Sequence, residues 1–106
     1  MPYGLRDDDL AQIIEILKGF SDIESAVLFG SRAKGNYKPG SDVDLAIMGS
    51  KATLATASEV AYRLDEETLM PYFFDVVLYS ALDEPNLKAH IDRVGIKIFV
   101  ADAASQ

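Results

Sequence analysis

Gly30-Ser31-Arg32-Ala33-Lys34-Gly35-Asn36-Tyr37-Lys38-Pro39-Gly40-Ser41-Asp42-Val43-Asp44-Leu45 is the run on which the reading of this chain turns. An apolar tetrad, Ala26-Val27-Leu28-Phe29, leads into it, and Leu45-Ala46-Ile47-Met48 leads out. A polar, glycine-bearing segment is thus held between two apolar runs of strand length. Gly30 has no Cβ to keep an anion from the backbone, and the Ser31 hydroxyl adds a donor. If Ser31 to Lys34 begin a short helical turn, their free N–H groups face the same anion. Arg32, Lys34 and Lys38 add positive charge, and the sequence does not say which of them reaches a ligand.

Two carboxylates follow. Asp42 and Asp44 are two apart on a strand, so both project from one face, roughly 6.5–7 Å apart along the chain, while Val43, Leu45 and Ile47 take the other face. Oxygen donors in this arrangement suit Mg²⁺, which is commonly held by one or two carboxylates together with substrate phosphates and water. A pair of aspartates or a Gly-Ser turn is commonplace alone; their combination with a basic loop between two strands is much more specific.

Gly30-Ser31, ten intervening residues and then Asp42-Val43-Asp44 before an apolar strand resembles the signature of the polymerase-β-like nucleotidyltransferase superfamily, in particular its minimal nucleotidyltransferase (MNT) group. The resemblance implies a nucleotidyltransferase fold. It also implies that Gly30 and Ser31 hold the β- and γ-phosphates of ATP, that Asp42 and Asp44 carry Mg²⁺, and that Arg32 counters phosphate charge.

The chain has 106 residues, a formal charge of −7 and no cysteine. That length is expected to make a single domain over 1–106, burying roughly 60–70% of its unfolded surface without staples. Disulfides, cysteine-based zinc sites and thiol nucleophiles are excluded, and a cytoplasmic setting is expected. The N-terminus has no apolar signal core and no apolar run approaches the ~20 residues of a membrane helix, so no membrane partner is expected. The acidic balance disfavours a long nucleic acid, since non-specific binding rests on neutralising phosphates with Lys and Arg.

In chain order, a helix is expected over 7–19, with the acidic triplet Asp7-Asp8-Asp9 at its N-terminus and Leu10, Ile13, Ile14 and Leu17 facing inward. Strands follow over 23–29 and 41–48, with Pro39-Gly40 marking the turn into the second. A helix over 51–69 would turn Leu54, Val60, Ala61 and Leu64 inward, and its exit Asp65-Glu66-Glu67 reads as solvated surface. Pro71 opens a strand over 72–79. A helix then starts at Asp83-Glu84-Pro85, carries Leu87, Ile91 and Val94, and stops at Gly95. Ile96–Val100 is the last strand, and 101–106 a frayed tail. The order α-β-β-α-β-α-β predicts an α/β (α+β) fold with a mixed sheet of about four strands and helices packed on it. His90 reads as a surface residue or a partner contact on the polar face of its helix. Tyr3, Tyr37, Tyr62, Tyr72 and Tyr79 read as core or rim packing rather than self-modification sites.

Asp75 is out of place in its apolar strand, because a desolvated carboxylate needs a charge partner or a cation. Alternation sets it with Phe73 and Val77 on one face. Were this strand to lie beside the Asp42-Asp44 strand, three carboxylates would converge; the alternative is an exposed aspartate on a half-open strand. The resemblance implies the former, since the family's third carboxylate comes from a later strand of this type and Asp75 is the residue that matches.

The resemblance further implies a two-Mg²⁺ transfer of AMP from ATP to a hydroxyl, with Asp75 helping to bind the second ion and drawing the acceptor's proton. Minimal nucleotidyltransferases are typically paired with a HEPN-domain toxin and act as its antitoxin by adenylylating a tyrosine, so a HEPN toxin is the expected partner and acceptor, supplying the other wall of the site. Two alternatives stay open at this point: an antitoxin that neutralises a HEPN RNase by binding alone, and a transferase acting on a small-molecule hydroxyl.

Overall fold

The computed structural model describes residues 2–101. The alternation of the apolar runs is realised as a four-stranded sheet in the order β3-β2-β1-β4, formed by β1 (Ser25–Phe29), β2 (Val43–Met48), β3 (Phe74–Leu78) and β4 (Ile96–Val100). β1 pairs antiparallel with both β2 and β4, whereas β2 and β3 run parallel, so the sheet is mixed. A parallel pair requires a crossover, and α3 (Leu54–Glu66) provides it.

The two faces of the sheet follow the period of two. Ala26 and Leu28 of β1, with Val43, Leu45 and Ile47 of β2, form a fully buried layer with Leu5, Ile13 and Leu17 from the N-terminal segment and α1 (Asp7–Lys18), and with Val60 and Leu64 of α3. Val27, Phe29 and Ala46 point the other way and pack with Ile91 of α4 (Pro85–Val94). Two helices thus cover one face and α4 covers part of the other. The mixed sheet and its element order match the expectation, with α2 (Gly30–Lys34) as the short helical turn after β1.

The crossover helix is shorter than 51–69 and its inner stripe differs. The Thr53 hydroxyl accepts the Thr56 N–H at 3.2 Å while the Thr56 hydroxyl accepts the Thr53 N–H at 3.0 Å, a reciprocal cap that starts the helix at Leu54. At about 100° per residue, Leu54 lies about 120° from Val60, and it is exposed. Thr56 and Ala57 take the inward positions, and Ala61 is half-buried. At the other end, the Thr68 hydroxyl donates to the Leu64 carbonyl at 2.6 Å, ending the helix before Leu69. Of the expected tail, 102–106 lies outside the described residues.

Candidate active site

Register decides which residues meet. Asp44 of β2 pairs with Phe29 of β1 on one side and with Asp75 of β3 on the other. Phe29, Asp44 and Asp75 therefore form one row across three strands, at the strand spacing of about 4.8 Å. Gly30-Ser31 follows Phe29 directly, which brings the turn against the carboxylates. Gly30 has φ +74°, and a Cβ there would overlap the Asp44 carboxylate. Only glycine accommodates both the left-handed backbone and that approach.

Asp44 and Asp75 lie on the sheet face that α4 covers only in part. Asp44 is half-buried; Asp75 and Asp42, which just precedes β2, are exposed. Burial first, then repulsion from Asp75 and from Asp42, together raise the Asp44 carboxyl to about 6, against a smaller pull from Arg32. Three acidic side chains thus share one open face. They are not gathered around a single point, however: among the described residues no three acidic or histidine side chains form a ready-made cage for an ion. As a donor set this is half a site, with oxygen ligands of the hard type that Mg²⁺ prefers and excess negative charge that a cation would relieve. Neither a groove of about 630 Å³ beside Lys18, Glu24 and Phe99 nor one of about 410 Å³ beside Leu54, Val76 and Leu82 includes any of these residues.

Arg32, expected to counter phosphate charge, is tied to the backbone. Only 2% exposed, its guanidinium donates from Nε and Nη2 to the Ser41 carbonyl, at 3.2 and 2.8 Å, and from Nη1 to the Tyr3 carbonyl at 2.9 Å. The Tyr37 and Tyr72 rings lie 5.4 and 5.0 Å from it. Its donors are turned to the backbone, and by holding Ser41 they fix the residue before Asp42. The physical reason is that a buried guanidinium must satisfy its N–H groups within reach, and two carbonyls and two aromatic faces surround it. Lys34 and Lys38 remain exposed. The turn leading to Asp42 is closed by the Ser41 N–H on the Lys38 carbonyl at 2.9 Å, with Gly40 at φ +86°.

Two participants were not legible in the sequence. Asp9, expected to sit at a helix N-terminus, is fully buried and accepts the Tyr72 hydroxyl at 2.7 Å and the Arg6 N–H at 3.1 Å. Burial alone would raise its carboxyl, but the bonds from Tyr72 and Arg6 together bring it below the usual range. Asp9 thereby anchors Tyr72, which in turn lies against Arg32. The second is His90, expected at the surface. It is half-buried, and its Nε2 accepts the Gly30 N–H at 3.1 Å. An apolar strand followed by Gly30 gave no hint that a helix sixty residues later would reach that amide.

Compared with known proteins, residues 11–104 match the family described as Polymerase beta, Nucleotidyltransferase. The chain belongs to that nucleotidyltransferase family. The expected resemblance to the polymerase-β-like nucleotidyltransferases is thus confirmed over most of the chain. Similar folds occur in a structure of the toxin-antitoxin MntA-HepT (TM-score 0.68, 17% identity, 94% of this chain and 76% of that one) and in a toxin-antitoxin structure with AMP-PNP (0.69, 17%, 95% and 77%). A third is the tri-AMPylated Shewanella oneidensis HEPN toxin in complex with MNT antitoxin (0.68, 16%, 95% and 76%). At these identities the likeness establishes the nucleotidyltransferase fold. A search of curated protein sequences gives no significant match. Among the described residues, no helix is long and apolar enough to cross a membrane.

Proposed function

We propose that this nucleotidyltransferase domain transfers AMP from ATP to a tyrosine hydroxyl of a HEPN-type toxin and so acts as its antitoxin. The observation that carries the reading is the pairing of Asp44 with Asp75 beside the Gly30-Ser31 turn. Carboxylates next to a backbone that admits close approach suit a reaction in which positioning and charge neutralisation do most of the work. The acceptor is suggested by the fold neighbours, which include an AMPylated HEPN toxin with its MNT antitoxin. The open face of the site is compatible with an acceptor presented by another polypeptide.

Asp42, Asp44 and Asp75 are the residues that would hold Mg²⁺, two ions in this reading, and the bound ions would offset phosphate charge and stabilise the attacking and leaving oxygens of an in-line displacement. Gly30 and Ser31 receive the β- and γ-phosphates. Arg32 keeps the Ser41-Asp42 backbone in place. Asp75, the more exposed member of the cross-strand pair, takes the proton as the acceptor oxygen bonds to the α-phosphorus. The bond from that phosphorus to the bridging oxygen breaks, and pyrophosphate leaves.

The test is intact mass of the chain with a HEPN protein encoded beside it, in Mg²⁺ and each nucleoside triphosphate in turn. A mass gain of one or more AMP on the HEPN protein, absent with Asp42→Ala/Asp44→Ala, is the expected result. Tight binding without any nucleotide addition would overturn the transfer in favour of a binding-only antitoxin. Labelling of a small hydroxyl compound by the chain alone, with the HEPN protein unmodified, would overturn the assigned acceptor.

A further inference from the structure

His90 occupies an amide that the nucleotide would need. Its Nε2 lies 3.1 Å from the Gly30 nitrogen, and its ring stands edge-on to Phe29, with centroids 6.2 Å apart and planes at 79°. To accept this N–H the ring must carry a lone pair on Nε2, so its proton is on Nδ1. The same Gly30 lies against the Asp44 carboxylate. One backbone N–H at the centre of the candidate site is thus already bonded, to a side chain that arrives from α4 on the far side of the sequence.

A phosphate oxygen is only an acceptor, as is Nε2 here, and one N–H cannot serve both at full strength. We propose that His90 is a positioning residue that holds the Gly30 amide while the site is free of nucleotide and gives it up to a phosphate oxygen of a nucleoside triphosphate. This rests on the nucleotidyltransferase reading of the site. The bond keeps the Gly30 turn formed and its half-buried donor satisfied before substrate arrives. Nucleotide binding then exchanges one acceptor for another, so the imidazole competes with the triphosphate. A ligand that ends at the α-phosphate has no β- or γ-oxygen to place on Gly30 and leaves the bond to His90 intact.

Two measurements on the full chain test this. In the ¹⁵N-labelled wild-type protein, the scalar coupling between the Gly30 amide and His90 Nε2 is expected to be present without ligand and lost on saturation with Mg²⁺ and AMP-PNP, but retained with AMP. A His90→Phe variant keeps an aromatic edge beside Phe29 and removes the competing lone pair. Its affinity for Mg²⁺-AMP-PNP is expected to rise roughly threefold to tenfold, the equivalent of one net hydrogen bond, with AMP affinity unchanged. Persistence of the coupling with AMP-PNP bound overturns the proposal while leaving the nucleotide site in place. So does weaker or unchanged AMP-PNP binding by a folded His90→Phe. Failure of both proteins to bind AMP-PNP overturns the reading of the site itself, and this inference with it.

Discussion

Replacing Asp44 with Asn in metal-free protein is expected to stabilise the fold at pH 8 and to have little effect at pH 4.5. In the folded chain burial, followed by Asp75 and Asp42, raises the Asp44 carboxyl to about 6, whereas in the unfolded chain it ionises near 3.9, as an ordinary aspartate does. Between those values the folded state keeps a proton that the unfolded state has lost. Unfolding free energy therefore falls as pH rises through this window, and above it the whole penalty is in place. Two pH units correspond to about 3 kcal/mol as an upper bound. Because the carboxyl is half-exposed, solvent screening reduces the figure to about 1 kcal/mol. Asn keeps the side-chain shape without the charge and should recover that amount, raising Tm by about 4 °C in a domain of this size. The assay is thermal unfolding with EDTA at both pH values. Asp83→Asn, an exposed site, controls for the general effect of removing one negative charge. An Asp44→Asn variant no more stable than wild type at pH 8, or equally stabilised at both pH values, would refute the crowding of carboxylates around Asp44. Added Mg²⁺ should raise the wild-type Tm and leave the variant nearly unchanged.

Gly30→Ala is expected to lower stability by about 1–2 kcal/mol through its left-handed backbone, to push the Asp44 carboxylate aside, and to abolish Mg²⁺-AMP-PNP binding in calorimetry. Tyr72→Phe removes the hydroxyl that donates to Asp9 and should cost about 1–2 kcal/mol in urea unfolding at pH 7. Because the Asp9 carboxyl lies below its usual range, its stabilisation is present above the unfolded value and is lost as pH falls through the folded one. The Tyr72→Phe deficit should therefore shrink in acid. Arg32→Met leaves the Ser41 and Tyr3 carbonyls without their buried donor and should destabilise by about 2–4 kcal/mol. Amide exchange over 38–42 should accelerate in that variant, with Arg32→Lys restoring only part of the protection, since an ammonium lacks the fork that spans both carbonyls.

The amino-acid sequence alone determined whatever depends on neighbours along the chain. Strand alternation set Val43, Leu45 and Ile47 inward and left Asp42 and Asp44 on the opposite side, because side chains on an extended backbone alternate whatever surrounds them. The glycine and proline positions marked the turns for the same local reason, and Asp75 stood out as a charge in an apolar strand. Tertiary structure decided the rest. Asp75 meets Asp44 only because β2 and β3 pair in parallel in one register, and a slip of one residue would turn its carboxylate to the other face. Arg32 was expected to counter phosphate charge; that its guanidinium is buried between two carbonyls and two tyrosines came only from the packing. Asp9 finds Tyr72 across 63 residues and His90 finds Gly30 across 60. No periodicity encodes such pairs, because a polar side chain that leaves water bonds to whichever partner packing brings within reach.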